Sequence, residues 1–172
     1  MEVNEQKGSK VISIVEVSPR DGLQNEKELV PIELKEKFIK KLMESGVDEI
    51  EVGSFVSPKV VPQMKDTDEL FLRLERDNVV VKFSALVPNL KGFERVMSLP
   101  PGKRPDKIAV FTAASETFNK RNIGMSVEES LRVFKEVVGE AKRNGFEVRA
   151  YVSTAFWCPF EGQIPPAKVV GI

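Results

Sequence analysis

Residues 10–55 read KVISIVEVSPRDGLQNEKELVPIELKEKFIKKLMESGVDEIEVGSF, and this stretch decides the fold class. Its first eight residues, Lys10–Val17, are an apolar β-rich run that ends in a polar loop. Over Pro31–Ser45 the pattern turns helical: Leu34, Phe38 and Leu42 recur at i+4 with Ile39 and Met43 beside them, Pro31 opens the first turn, and Gly46 follows the last. Asp48–Phe55 is β-rich again, so the order is strand, helix, strand. Further along the chain, the runs Asn78–Val87, Lys107–Thr112 and Glu147–Thr154 repeat the strand signal. Helices are predicted at Asp66–Arg76, Leu90–Met97 and Ser126–Asn144, with a last one beginning at Pro165 or Pro166. In the third of these, Val127, Leu131, Phe134, Val138 and Ala141 form one stripe, Ser126 with Glu129 makes a capping box, and Gly145 stops the helix. Alternation of this kind, with continuous apolar runs such as Val79-Val80-Val81, predicts a parallel sheet covered by helices. A flavodoxin-like open sheet and the first five units of an eight-stranded barrel both fit. Strand starts lie on average about 34 residues apart, so eight units need roughly 275 residues, near the usual barrel length. No linker or low-complexity segment interrupts the chain, which reads as a single domain over 1–172.

Composition narrows the chemistry. The chain has 172 residues, 41% hydrophobic and 30% charged, with 26 Lys+Arg against 26 Asp+Glu. Zero formal charge argues against nucleic acid held by an overall basic field. No apolar run is long enough to span a membrane, and the start MEVNEQKGSK has no targeting character, so a cytoplasmic location is expected. One cysteine, Cys158, and no histidine exclude, within this chain, a disulfide framework, a Ser-His-Asp triad, a Cys-His pair and any imidazole metal site. Chemistry here rests on carboxylates, Arg, Lys, Tyr and backbone groups.

Parallel α/β folds bind ligands beyond the carboxyl ends of their strands. After the first strand, Arg20 adjoins Asp21 ahead of Gly22: a fork of donors for an oxyanion beside a carboxylate for a hard cation. An Arg–Asp pair closing an ordinary loop accounts for the same residues. Glu51 in the second strand needs a partner if it faces the interior, and Arg20 is the natural one. Phe55–Met64 is a Pro-braced apolar loop suited to a pocket wall. Asn89 and Lys91 sit at a helix start, where phosphate binds well. Ala113–Glu116 is expected to expose small residues as a ligand floor. Ser153, Thr154 and Trp157 follow the fifth strand, Tyr151 is expected to pack within the sheet, and Cys158 reads as an inert buried thiol.

The string Val17-Ser18-Pro19-Arg20-Asp21-Gly22-Leu23-Gln24-Asn25-Glu26 closely resembles the opening signature of the 3-hydroxy-3-methylglutaryl-CoA lyases, members of the DRE-type TIM-barrel metallolyases. The resemblance continues through Ser54–Lys59, Val61–Met64, Pro88–Glu94, Ala114–Glu116, Asn122-Ile123, Glu128–Ser130 and Tyr151–Ser153, in order and across nearly the whole chain. It selects an α/β fold of the (βα)8 TIM-barrel type, cut to about its first five βα units. Isopropylmalate and homocitrate synthases share only a shorter Arg-Asp-Gly core and rank second.

The resemblance implies metal-assisted retro-Claisen cleavage of 3-hydroxy-3-methylglutaryl-CoA to acetyl-CoA and acetoacetate, a step of leucine degradation and ketone-body metabolism. It assigns Asp21 to the metal, Mg or Mn, and Arg20 to enolate stabilisation. Glu51 supports Arg20 as a second catalytic residue. Arg20, Gln24, Ser54 and Thr154 are placed at the substrate, and Lys27, Asn89 and Lys91 along the CoA path. The family's remaining metal ligands, a His-x-His pair and an Asn, and its loop cysteine lie in a later half. The 172 residues are therefore expected to bind metal weakly or not at all and to lack turnover alone. The alternatives are a non-catalytic fragment, a half-barrel completed by a homo-oligomer or a partner that supplies the missing strands, and a partial record of a full-length lyase.

Overall fold

The computed structural model describes residues 12–76 and 80–172. Its main sheet has five parallel strands: β1 (Val15–Glu16), β2 (Glu49–Ser54), β3 (Lys82–Leu86), β4 (Lys107–Ala113) and β5 (Glu147–Ser153), in the order β1-β2-β3-β4-β5. Between them run α1 (Ile32–Met43), α2 (Thr67–Arg73), α3 (Leu90–Ser98), α4 (Glu116–Ile123) and α5 (Val127–Arg143). A two-stranded hairpin, β6 (Trp157–Cys158) with β7 (Gly162–Gln163), precedes α6 (Pro166–Val170). Sequential strand order has no reversal point, so the flavodoxin-like alternative falls and the barrel order stands. Parts of the expected first and third strands, residues 10–11 and 78–79, lie outside the described residues.

Alternation along each strand sorts side chains into two layers. Outward-facing Ile50, Val52, Phe83, Ala85, Val87, Ile108 and Val110 meet Ile39, Leu70, Phe71, Phe93, Val96, Phe134, Val137 and Ala141 from the helices in one core. Each large side chain buried there contributes about 1.5–3 kcal/mol of hydrophobic stabilisation. The opposite face is polar: Glu49, Glu51, Lys107, Arg149 and Tyr151 all point into it and bond one another. β2 and β5 are three strand spacings apart, about 14 Å on a flat sheet. Yet Arg149 reaches Glu49 at 2.6 Å and the Tyr151 hydroxyl reaches Glu51 at 2.8 Å, so the sheet is curled around this face. The result is a half-barrel.

Two local devices set the upper end of β2. Pairing with β3 slips between Glu51 and Gly53, so Gly53 opposes Ala85 and Ser54 opposes Leu86. A Cβ on Gly53 would lie 2.8 Å from Thr67 Oγ1, which shows that this position faces α2 and that Ser54 turns to the interior. Gly92, in the first turn of α3, approaches strand β2's exit closely: a Cβ there would lie 2.8 Å from the Phe55 carbonyl oxygen.

Candidate active site

The site begins where β1 ends. Pro19 is buried within a wide helical turn, Ser18–Gly22, whose Ser18 carbonyl accepts from Leu23 N, while the Val17 carbonyl at its start accepts from Arg20 N at 3.1 Å and Asp21 N at 2.8 Å. Wide turns of this kind cluster at functional sites. The Ser18 N–H donates to Glu16 Oε1 at 2.8 Å and is the main cause holding the Glu16 carboxyl below its ordinary pKa. The turn aims Arg20 inward and leaves Asp21 at the rim, its side chain 54% exposed.

Arg20 Nε donates to Glu51 Oε1 at 2.5 Å and Nη1 to Asp21 Oδ1 at 2.6 Å. Gln24 Nε2 donates to the same Asp21 oxygen at 2.9 Å, leaving Oδ2 without a partner among the described residues. Glu51 is fully buried, and its second oxygen accepts from the Tyr151 hydroxyl. A buried carboxylate with two strong donors is a stable anchor, and it fixes the plane of the Arg20 fork. Burial first, and then the Glu51 charge, push the Tyr151 phenol's ionisation above its ordinary value against the pull of Arg149, so it is a neutral donor at neutral pH.

A cavity of about 690 Å³ opens at the carboxyl ends of the strands. Arg20, Asp21, Gln24, Ser54, Asn89 and Tyr151 give it a polar side, while Val56, Val60, Val61, Phe118 and Ile123 give it an apolar one. That size and mixture suit a small organic ligand. A second opening of about 970 Å³, lined by Lys40, Glu44 and Lys82, lies at the amino ends of the strands, the end that carries stability in barrels.

The structure brings Arg20, Asp21, Gln24, Glu51, Ser54 and Asn89 to one end of the sheet. Asn89 caps α3, its side chain accepting from Gly92 N at 2.9 Å. Lys27 and Lys91 are exposed and do not line the cavity. Thr154 also stands off it, in a left-handed conformation at φ 55, its hydroxyl donating to the Ser153 carbonyl at 2.7 Å. The stretch expected to be an exposed floor is buried: Ala113, Ala114 and Ser115 are each at most 3% exposed. Ser115 instead caps α4, a helix absent from the sequence reading, whose Phe118 and Ile123 form the cavity wall. Tyr151 does more than pack, since its hydroxyl completes the shell of Glu51. The inward parity of β5, odd residues from Glu147, is the signal that places it there.

The hairpin holds α4 down. Glu161 Oε1 accepts from Thr117 N at 2.7 Å, and Cys158, fully buried, donates its thiol to Ser115 Oγ at 3.0 Å. The Thr117 N–H and hydroxyl hold the Glu161 carboxyl down at about 2. For the Cys158 thiol, burial opposes ionisation, but the Ser115 hydroxyl and the N–H groups of Phe160 and Glu161 outweigh it and lower the pKa.

Strand order, inward-facing polar layer and an Arg–carboxylate cluster at the strand carboxyl ends define half of a parallel βα-barrel, with a candidate site at the end where such barrels bind ligands. The chain belongs to the HMGL-like family, whose profile matches residues 11–172. It is 45% identical over 161 residues to 3-hydroxy-3-methylglutaryl-CoA lyase, cytoplasmic, of Danio rerio, covering 94% of this chain and 47% of that protein. The crystal structure of the HMG-CoA lyase from Brucella melitensis superposes with a TM-score of 0.86 at 42% identity, covering 93% of this chain and 55% of that one. An HMG-CoA lyase from Acinetobacter baumannii, solved with coenzyme A and 3-methylmalate, superposes at 0.84 and 35% identity, covering 94% and 51%. The chain spans about half the length of the curated relatives it matches. Its five strands correspond to a truncated TIM barrel.

Proposed function

We propose that this chain supplies the arginine-and-carboxylate half of a site that cleaves 3-hydroxy-3-methylglutaryl-CoA, or a close 3-hydroxy-3-alkyl acyl-CoA, to acetyl-CoA and a 3-keto acid. The reaction removes the 3-hydroxyl proton and breaks the C2–C3 bond. Its electron pair passes to the thioester as an enolate, and protonation at C2 yields acetyl-CoA. The observation that carries this reading is Arg20 held at 2.5 Å by the buried Glu51 at the mouth of the cavity. A permanent cation fixed in advance where the enolate oxygen develops lowers the barrier without reorganising. Glu51 orients that cation, Gln24 holds Asp21, and Ser54 offers a hydroxyl at the cavity wall. Asn89, Lys27 and Lys91 are the groups available to the CoA amides and phosphates. Thr154 follows β5 at the same end of the sheet.

The described residues do not make up a metal centre. None of them forms a group of three His, Cys, Asp or Glu side chains, and one Asp21 oxygen is already shared by Arg20 and Gln24. Among the described residues Asp21 offers a divalent ion such as Mg²⁺ or Mn²⁺ a single free oxygen, too little to fix it. That observation favours a second reading for 172 residues acting alone: a non-catalytic half-barrel that works only with a chain or segment completing the site.

The test is the intact mass of the native polypeptide together with acetoacetate release from 3-hydroxy-3-methylglutaryl-CoA on the same sample, with and without Mg²⁺ or Mn²⁺. A polypeptide of barrel length whose metal-dependent cleavage is lost in Arg20→Met supports the lyase. A native 172-residue species without turnover supports the half-barrel. Turnover unaffected by Arg20→Met sinks the assignment of Arg20.

A further inference from the structure

Across the hollow of the sheet, paired charges of both signs are stacked in tiers. At the bottom, Lys82 Nζ lies 2.7 Å from Glu147 Oε1, and Lys107 Nζ bridges Glu147 at 3.4 Å to Glu49 at 2.6 Å. In the middle, the Arg149 fork takes both oxygens of Glu49, at 2.6 and 2.9 Å. At the top, Tyr151 and Arg20 share the two oxygens of Glu51. The tiers follow from strand parity: Glu147, Arg149 and Tyr151 are alternate residues of β5, as Glu49 and Glu51 are of β2.

Only the top tier meets the cavity, and its geometry depends on the tier below. The Tyr151 ring has the Arg149 guanidinium 5.9 Å from its centroid, a cation–π distance. A guanidinium gripped at both nitrogens by a 4%-exposed carboxylate is a rigid floor, whereas a single ammonium in its place would pivot. Without that floor the phenol is free to leave Glu51, whose second oxygen would then be buried without a donor, and the carboxylate would turn away from Arg20.

We propose that Arg149 is a positioning residue: clamped by Glu49, it holds Tyr151 against Glu51 and so sets the direction of the Arg20 guanidinium. What Arg20 does once so directed rests on the lyase reading above; the positioning itself is readable in the chain without turnover.

Tyr151 is the only tyrosine, so biosynthetic replacement with 3-fluorotyrosine gives one ¹⁹F resonance whose shift reports ionisation of this phenol alone. The charged groups around it are Glu51 from β2, Arg20 from the turn after β1 and Arg149 on its own strand, with Glu49 and Lys107 behind Arg149. The parent chain is expected to titrate above free 3-fluorotyrosine. In Arg149→Met the two possibilities move in opposite directions. A phenol released from Glu51 into the open hollow titrates lower than in the parent, toward the free value, as the proposal requires. A phenol that stays on Glu51 without the cation titrates higher than in the parent, and that overturns it. Arg149→Lys keeps the charge but loses the two-pronged grip, so its titration is expected between the parent and the free value; a titration equal to the parent's overturns the claim. If far-ultraviolet circular dichroism shows Arg149→Met unfolded, the Lys variant decides alone. A parent chain titrating at the free value overturns the proposal at once. None of these readouts uses the lyase assay, so a failed assay counts against the function and leaves the positioning standing.

Discussion

Arg20 and Glu51 are 31 residues apart in sequence and form the tightest geometry at the cavity mouth. Their exchange values are therefore unequal. In the complete polypeptide, Arg20→Met is expected to lower kcat by about 10²–10³-fold with the fold intact, the usual size for one missing oxyanion donor. Arg20→Lys is expected to recover little, because an ammonium cannot bond Glu51 and Asp21 through a fixed plane. Glu51→Ala breaks a buried pair and strands the partner. A loss of about 3–5 kcal/mol, read as a lower urea midpoint, is expected. At this scale the sequence was informative where chemistry and position coincide. Arg20, Asp21 and Glu51 follow or occupy neighbouring strands, and the pairing of Arg20 with Glu51 is legible from the need of an interior carboxylate for a partner one strand away. Tyr151 was not, because a tyrosine in an apolar run looks like packing until strand parity and curl put it opposite Glu51.

Among elements, α4 and the hairpin were the parts hidden from sequence. α4 has eight residues and buries only Asn119, whose side chain donates to the Met125 and Ser126 carbonyls and to Ser130 Oγ instead of joining an apolar stripe. Its true signals were its ends, Ser115 as N-cap and Gly124 in the left-handed conformation at φ 71. The longer helices were legible because each carries an apolar face; α5 buries Phe134, Val137 and Ala141 in one stripe. The clasp of the hairpin on α4 has a defined acid limit. Glu161 is depressed from 4.5 to about 2, so its contribution is complete above about 4.5 and is lost as pH falls toward 2. Fluorescence of Trp157, the only tryptophan and itself in β6, is expected to change across that window, and Glu161→Gln is expected to abolish the change. Gly92→Ala tests the seat of α3. Its new Cβ would press on the rigid Phe55 carbonyl, and a loss of about 1–3 kcal/mol in thermal or urea unfolding is expected.

For the molecule as a whole, the outer strands of the main sheet are β1 and β5, and among the described residues each has one edge unpaired within it. Seven-residue β5 is the longer and more open to a neighbour. With a formal net charge of zero there is no long-range repulsion to keep copies apart. The 172-residue chain alone is expected to self-associate as concentration rises, in sedimentation velocity runs. A monomer at all concentrations would show that these edges are protected. The barrel direction itself was legible only in combination: spacing and alternation left two architectures standing, and the motif around Arg20 selected one. Sheet order then agreed with that selection, since it has no crossover.

The slip at Val52 divides β2 into two independently adjustable halves. Below it, Ile50 belongs to the helix side and Glu49 and Glu51 to the hollow; above it, Gly53 has moved to the helix side and Ser54 to the hollow. Deleting the extra residue here would restore strict alternation and leave Gly53 and Ser54 on their present faces, whereas regular pairing with every residue kept would exchange the faces of everything downstream in the strand. The rim of the hollow can thus be rewritten from Gly53 onward while the acid that steers Arg20 keeps its place, which separates the evolution of ligand preference from that of the reaction.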